Sequence, residues 1–452
     1  MVYNPAGVFD AGYFSQVSQA GALPVFDTEL MADDKVISHI DELAKSGFLF
    51  GIRISAAREN IFNYLNEQVI RNCDAVIVSY DNIDELKKFR PGTSPYTIIT
   101  EVTDIGINDI LEAIDPHALI LRGFEAPGRC SRYTSFILLQ WYAEKSRFPF
   151  FVHGGVGYFT AAGMFAAGAS GLVLDNQLFL AEEAPVCDEV RTLIMKLEES
   201  DSLSVADGSG VRRRFFSKLG TKIVKEMKKK ADSGTYSEKL SSLYDEVRKY
   251  YLPVDKGNGD PMQRLFYLGQ DAIFARYFAK DTRKTGEIIQ NFFKRINEEL
   301  SLIDSHDPMV EGSILAREHG TRFPIVQGPM ANISDSVEFA KKVYEAGALP
   351  FFAMGSLPPD LAEGLITGGN EHVKSYGAGM IGVLAFNKNL PEHMEIVKKH
   401  RAPFALFAAG TPSVVKELEA SGTKAYLHTP SMSMLENAIS TGCRRFIFEG
   451  TE

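Results

Sequence analysis

Residues that build disulfide or metal frameworks are scarce in this 452-residue chain. Its four cysteines, Cys73, Cys130, Cys187 and Cys443, show no CxxC spacing. That excludes a disulfide-stapled scaffold and reads as free thiols in a reducing compartment. The nine histidines include no HxxxH pair, so no metal site is expected. Neither a GxSxG elbow nor a Walker loop occurs, which removes the signatures of serine hydrolases and P-loop enzymes. No window of about 18 uncharged apolar residues appears, and residues 1–20 lack a basic stretch followed by an apolar one. The expectation is a cytoplasmic protein with no membrane partner. Positive charge is also short: 48 Lys and Arg against 58 Asp and Glu leave a net charge of -10. A general nucleic-acid binder is therefore not expected.

What is present is ample apolar material, 45% of residues, with 23% charged. A chain this long exceeds the size at which one core stops growing, so two domains are expected. Short apolar runs recur through residues 1–185: LPVF from Leu23, FLFGIRI from Phe48, DAVIVS from Asp74, TIITEV from Thr97, ALILRG from Ala118, FPFFVHGG from Phe148 and GLVLD from Gly171. They lack strict alternation, as strands buried on both faces do. Amphipathic segments such as DKVISHIDELAKSG separate them, and a first strand near Val2–Tyr3 brings the tally to eight. The spacing predicts an α/β fold, a compact (β/α)8 TIM barrel, with an open doubly wound sheet as the alternative.

In such a barrel the chemistry sits where strands end. The seventh run ends His153-Gly154-Gly155-Val156-Gly157 before a helix of small residues. Glycines there let backbone N–H groups approach a phosphate at a helix N-terminus, though a tight turn asks for the same residues. The sixth run ends Arg122-Gly123-Phe124-Glu125-Ala126-Pro127-Gly128-Arg129.

ALILRGFEAPGR, FPFFVHGGVG and LVLDNQLFLAEE together resemble the nitronate monooxygenase (2-nitropropane dioxygenase) family of FMN-dependent barrels, which includes flavin enoyl reductases. YLGQDAIFA, ILAREHGTRFPIVQGPMA and FEGTE are similar to the tandem copies of this barrel in giant polyketide-synthase-like and polyunsaturated fatty acid synthase-like proteins. The resemblance implies an FMN site at Arg122, Gly123, His153, Gly154 and Gly155. It also marks two departures. Arg129 stands where the family carries a proton-transferring histidine, and an arginine cannot accept a proton near neutral pH. Asn176-Gln177 stands where the family binds FMN phosphate with a Gly-Thr pair, and either amide is expected as the second phosphate contact beside Gly154-Gly155.

AGALP at Ala20 returns at Ala346, and the RGFE around Gly123 returns as the EGTE around Gly450, offsets of 326 and 327. A whole barrel is therefore repeated. Residues 186–318 read as a helical connecting region, with RRRFFSKLGTKIVKEMKKK at helical spacing and its basic run from Arg212 to Lys230 open either to an acidic carrier protein or to solvent. Residues 319–452 read as a second barrel with its first six strands only. Its VQGPMA places Gly328, Pro329 and Met330 where the family packs main chain against flavin, and His428 ends its fifth strand. With no counterpart of the phosphate loop here, weak or no FMN binding is expected through this half, and strands from a continuation or another chain would complete it.

Two functions follow. One is an FMN-dependent oxidoreductase module acting on acyl-thioester intermediates of a synthase, partnered by acyl carrier protein or other synthase domains and a small acyl substrate, with Arg129 and His428 as candidate catalytic residues. The other is a catalytically silent structural or carrier-docking barrel. A homodimer stays open as the oligomeric state.

Overall fold

The computed structural model describes residues 1–452 except 93, 199–200, 208–209, 219–220, 235–240, 258–259, 261–262, 304, 306 and 451–452. The end of FEGTE thus lies outside the described residues. The chain divides into two compact units, Met1–Leu302 and Ile303–Glu452.

In the first unit the apolar runs become β1 (Val2–Tyr3), β2 (Pro24–Asp27), β3 (Phe50–Ser55), β4 (Cys73–Ser79), β5 (Thr97–Val102) and β6 (Ala118–Arg122), then β7 (Gly128–Cys130), β8 (Phe150–His153) and β9 (Gly171–Val173). All but β7 form one parallel sheet in the order β1-β2-β3-β4-β5-β6-β8-β9. A bridge from Val2 to Leu174 joins its ends: Tyr3 N–H donates to the Leu174 carbonyl at 2.9 Å and Leu174 N–H to the Met1 carbonyl at 3.0 Å. The sheet is a closed eight-stranded barrel. Alternation explains the unbroken apolar runs, because both faces are covered. Tyr3, Val25, Ala75, Ile77, Ile99, Ala118, Ile120 and Val173 fill the inside, while Ile52, Val76, Ile98 and Leu119 pack beneath the helices.

The segment expected as a helical connector contributes strands to this unit. Arg212–Phe216 is β11, paired antiparallel with β10 (Ser202–Ala206) on one side and with β7 on the other. Helical spacing misplaced this stretch because Arg213 and Arg214, which read as a solvated basic face, are fully buried beside Phe215 and Phe216. The helix reading holds for Lys222–Asp232 and Thr285–Leu302. The latter buries Ile288, Ile289, Phe292 and Ile296, and Phe292 lies 5.3 Å from Phe278, itself stacked on Tyr158 at 4.4 Å.

The second unit holds β12 (Val326–Gln327), β13 (Leu349–Ala353), β14 (Gly377–Ile381), β15 (Phe404–Ala408), β16 (Lys424–Thr429) and β17 (Phe446–Phe448) in sequential parallel order, an incomplete barrel. Its inside is lined by Leu349, Phe351, Phe404, Leu406 and Tyr426. The repeat extends to ladder register. Arg53 pairs with Ile77, Ile77 with Ile99 and Glu101 with Ile120 in the first unit; Gly379 pairs with Leu406, Leu406 with Tyr426 and His428 with Ile447 in the second. Among the described residues no helix is long and apolar enough to cross a membrane.

Candidate active site

Every second strand residue points inward, so the last inward residues converge at the C-terminal mouth. In the first unit these are Tyr3, Asp27, Arg53, Glu101, Arg122 and His153, with Asp175 just past β9, and all are buried. Arg53 grips both oxygens of Glu101 at 2.9 Å and reaches Asp27 at 2.9 Å and Glu29 at 2.8 Å. Arg122 donates to Glu101 at 2.9 Å and to the carbonyls of Pro127 and Arg129 at 2.5 Å. It also meets His153 Nδ1 at 3.1 Å. An arginine can only donate, so Nδ1 accepts and Nε2 carries the proton toward Asp175, 2.7 Å away.

Burial favours the neutral form of every carboxyl here, and the arginines decide which resist it. At Glu101 burial pushes the carboxyl up, but Arg53 and Arg122 outweigh it and hold the group well below the usual range. Burial, then the charge of Arg122, lowers His153, so the imidazole is neutral. Asp27 is pushed up by burial. Such a cluster persists because each charge has its partner; removing one strands the others in low dielectric.

Residues from the former connector close the mouth. Arg213 donates to Glu29 at 2.6 Å and pairs with Asp81, and the Tyr267 hydroxyl donates to Glu29 at 2.8 Å. A cavity of about 20 Å³ remains there, lined by Tyr3, Asp27, Glu29, Arg122, Asp175 and Tyr267. That is room for about one water molecule.

The glycine loop has the conformation its sequence suggests: Gly154 has φ of +105° and Gly155 +69°, the left-handed region that favours glycine. The carboxyl beside it, however, is the chain's own. Glu125 accepts from Ser135 N–H at 3.0 Å and from the Ser135 hydroxyl at 3.3 Å, at the first turn of the helix Ser135–Lys145. A Cβ on Gly123 would lie 2.5 Å from Glu125 Oε2, one on Gly154 3.4 Å from it, and one on Gly155 3.5 Å from Oε1. Three glycines thus make the space for this carboxylate. Burial pushes Glu125 up.

Asn176 and Gln177 face inward but are engaged: Asn176 accepts from Gly269 N–H at 2.6 Å, and Gln177 donates to Val156 O at 3.1 Å and Asp271 at 2.8 Å. Arg129 bonds Thr103 at 3.0 Å and stacks over Tyr80 at 4.1 Å. The structure therefore brings Arg122 and His153 into one cluster. Gly123, Gly154 and Gly155 gather around Glu125, and Arg129 takes up a separate contact. Sequence reading passed over Asp27, Arg53 and Glu101, though a charged residue closing an apolar run was the available signal. Asp271 is buried with one oxygen unpartnered.

FMN does not fit this mouth. Small-molecule sites enclose roughly 300–1,000 Å³, and a phosphate at Gly154-Gly155 would meet a carboxylate where it needs donors. In the second unit the picture differs. Space around Gly328 is open, with nothing within 4 Å of a Cβ built there. Pro329 packs over Gly379, Met330 N–H bonds the Ser334 hydroxyl at 2.7 Å, and His428 Nδ1 lies 3.0 Å from Glu449 Oε2. Among the described residues no metal-binding cluster occurs.

A closed parallel barrel followed by an incomplete one of the same register defines the class. Among solved structures, FabK from Thermotoga maritima is similar at a TM-score of 0.53 and 20% identity, over 67% of this chain and 94% of its own. Nitroalkane oxidase from Streptomyces ansochromogenes gives 0.48 and 15%, over 67% and 97%. The enoyl reductase domain of MlnA from the macrolactin biosynthesis cluster of Bacillus amyloliquefaciens gives 0.49 and 12%, over 67% and 94%. No protein-family model and no curated protein matches. The chain has the fold of the nitronate monooxygenase and flavin enoyl reductase group, as its motifs implied.

Proposed function

We propose that this chain is an oxidoreductase-fold module of the nitronate monooxygenase and enoyl reductase type, serving acyl-thioester chemistry of a polyketide or fatty acid synthase. In this reading its first barrel is structural, and FMN belongs to the second. The observation that carries it is the Glu125 carboxylate held among Gly123, Gly154 and Gly155 at a helix N-terminus. In this reading the Glu125 carboxyl stands where a phosphate would bind, and the mouth above is filled by Arg53, Arg122 and their partners. In the second unit Gly328, Pro329 and Met330 would hold a flavin through main chain; bound FMN would supply hydride chemistry there.

Carrier docking is supported by the exposed lysines of Lys222–Asp232 alone, since Arg213 and Arg214 are buried. The test is flavin absorbance of the whole chain after incubation with FMN and gel filtration. Retention is expected to be weak and through the second unit alone, and Gly155→Leu to leave it unchanged, because the first unit contributes none. Stoichiometric flavin lost in Gly155→Leu would reject the structural role of the first barrel.

A further inference from the structure

Away from the mouth, the first unit carries a larger cleft, about 660 Å³, on the loops that follow β1 and β9. That lies within the roughly 300–1,000 Å³ of small-molecule sites. Arg191 shapes its wall by donating to the carbonyls of Val186 at 3.0 Å, Phe179 at 3.3 Å, Ala181 at 2.5 Å, Glu182 at 3.2 Å and Ala184 at 2.7 Å. Every N–H of its guanidinium is thereby spent on the loop 179–186, and none is left for a ligand. Asp10, Glu182, Glu183, Asp188 and Asp255 line the cleft as well, with Arg283 as the other cation. Asp255 Oδ1 is buried without a hydrogen-bond partner, an acceptor in need of a donor.

Cys187 lines the same cleft and is the one cysteine of the four that is not buried. It caps the start of the helix Asp188–Met195, and its N–H is fixed on the Val254 carbonyl at 2.8 Å. Against its sulfur lies Arg264, 4% exposed. Nη1 of Arg264 donates to the Lys256 carbonyl at 2.7 Å and Nη2 to Cys187 Sγ at 3.9 Å, while Nε is buried without a partner. Among the described residues Arg264 forms no ion pair. A buried guanidinium calls for an anion, and the sulfur that Nη2 meets is an atom able to become one. The thiol itself donates to the Lys256 carbonyl at 3.5 Å. Exposed Glu189 also faces it, its carboxyl drawn below the usual range by its own backbone N–H and by the Cys187 thiol.

We propose that this cleft is a covalent modification site, at which Cys187 takes up an aminothiol from a small cationic disulfide. The ammonium group sits among the carboxyls, Asp255 Oδ1 foremost, and brings the S–S bond to Cys187. The thiol releases its proton to solvent, and the thiolate, faced by Arg264, attacks the nearer sulfur. A new S–S bond forms as the old one breaks. Cys187 is oxidised to the mixed disulfide, and the departing half is reduced and leaves as an aminothiol once it takes up a proton. Neither flavin nor an acyl thioester takes part, so the site stands or falls apart from the functional reading above.

The probe is cystamine, added to the whole chain near neutral pH, with the adduct followed by intact-mass spectrometry. A single adduct is expected, absent from Cys187→Ser. Each rate is divided by that of the same disulfide with free 2-mercaptoethanol. So normalised, cystamine should react about tenfold or more faster than the dianion dithiodiglycolate, because a cleft of one sign concentrates its counter-ions by that order. Added salt should shrink the preference. Asp255→Asn should slow cystamine and speed dithiodiglycolate, an opposite pair of changes that a folding defect does not produce. Arg264→Gln should slow both disulfides, and Arg264→Lys should restore them. No adduct, an adduct that persists in Cys187→Ser, or equal normalised rates for the two disulfides overturns the proposal, as does an Arg264→Gln chain that reacts like the wild type.

Discussion

Asp271 and Glu101 are buried carboxyls shifted in opposite directions, and the difference is testable at single residues. Burial, reinforced by Asp175 and Glu125, pushes Asp271 well up. Its folded form therefore binds a proton that the unfolded form has lost. Stability from this group is fully present below the ordinary carboxylate range and declines as pH rises toward the folded value, by about 1.4 kcal/mol per unit at most. Asp271→Asn keeps an acceptor for Gln177 and removes that slope. Its melting temperature should gain on the wild type from pH 5 to pH 8, and a gain that shrinks with pH would refute the assignment. Glu101 lies below its ordinary range, so its contribution is present above that range and lost only as pH falls through the depressed folded value. Glu101→Gln leaves Arg53 and Arg122 without their shared counter-charge and should cost about 3–5 kcal/mol. Trp141, the single tryptophan, lies in the first unit and reports its urea transition.

At the scale of elements, the stretch Tyr267–Phe274 decides whether the first mouth is open. It is held by Gln270 N–H donating to the Glu125 carbonyl at 2.8 Å and by Gly269 on Asn176. A Cβ on Gly269 would lie 2.6 Å from Asp271 Oδ1, 2.7 Å from the Glu125 carbonyl and 3.0 Å from Pro127. Gly269→Val should unseat the stretch at a cost of ~1–3 kcal/mol, seen as faster amide exchange across residues 267–274 with the barrel strands still protected. Little of this was readable in the chain. The barrel strands were legible because two-sided burial writes continuous apolar runs, and the glycine loop because positive φ demands glycine. The plug was not. Arg213 and Arg214 are buried only because Glu29, Asp81, Phe124 and Ser202 reach them from distant positions, and no local pattern announces such partners. Glu125 was read as part of a motif; that it sits against Ser135 among three glycines emerges only when the fold brings them together.

For the whole molecule, two compact units with separate cores should unfold in two steps. Trp141 fluorescence is expected to follow one, while far-ultraviolet circular dichroism follows both; coincident curves would show the units to be one cooperative body. The matching registers carry a hazard of their own. Val326–Gln327 offers the kind of edge that Val2–Tyr3 offers to Leu174, and neighbouring repeats of like register are prone to exchange strands while they fold. The unlike mouths act against such exchange. A strand ending in Ala353 or Gly379, inserted beside Glu101, would leave that carboxylate without its arginine. The charge cluster in the first barrel's mouth would thereby disfavour a strand drawn from the other half.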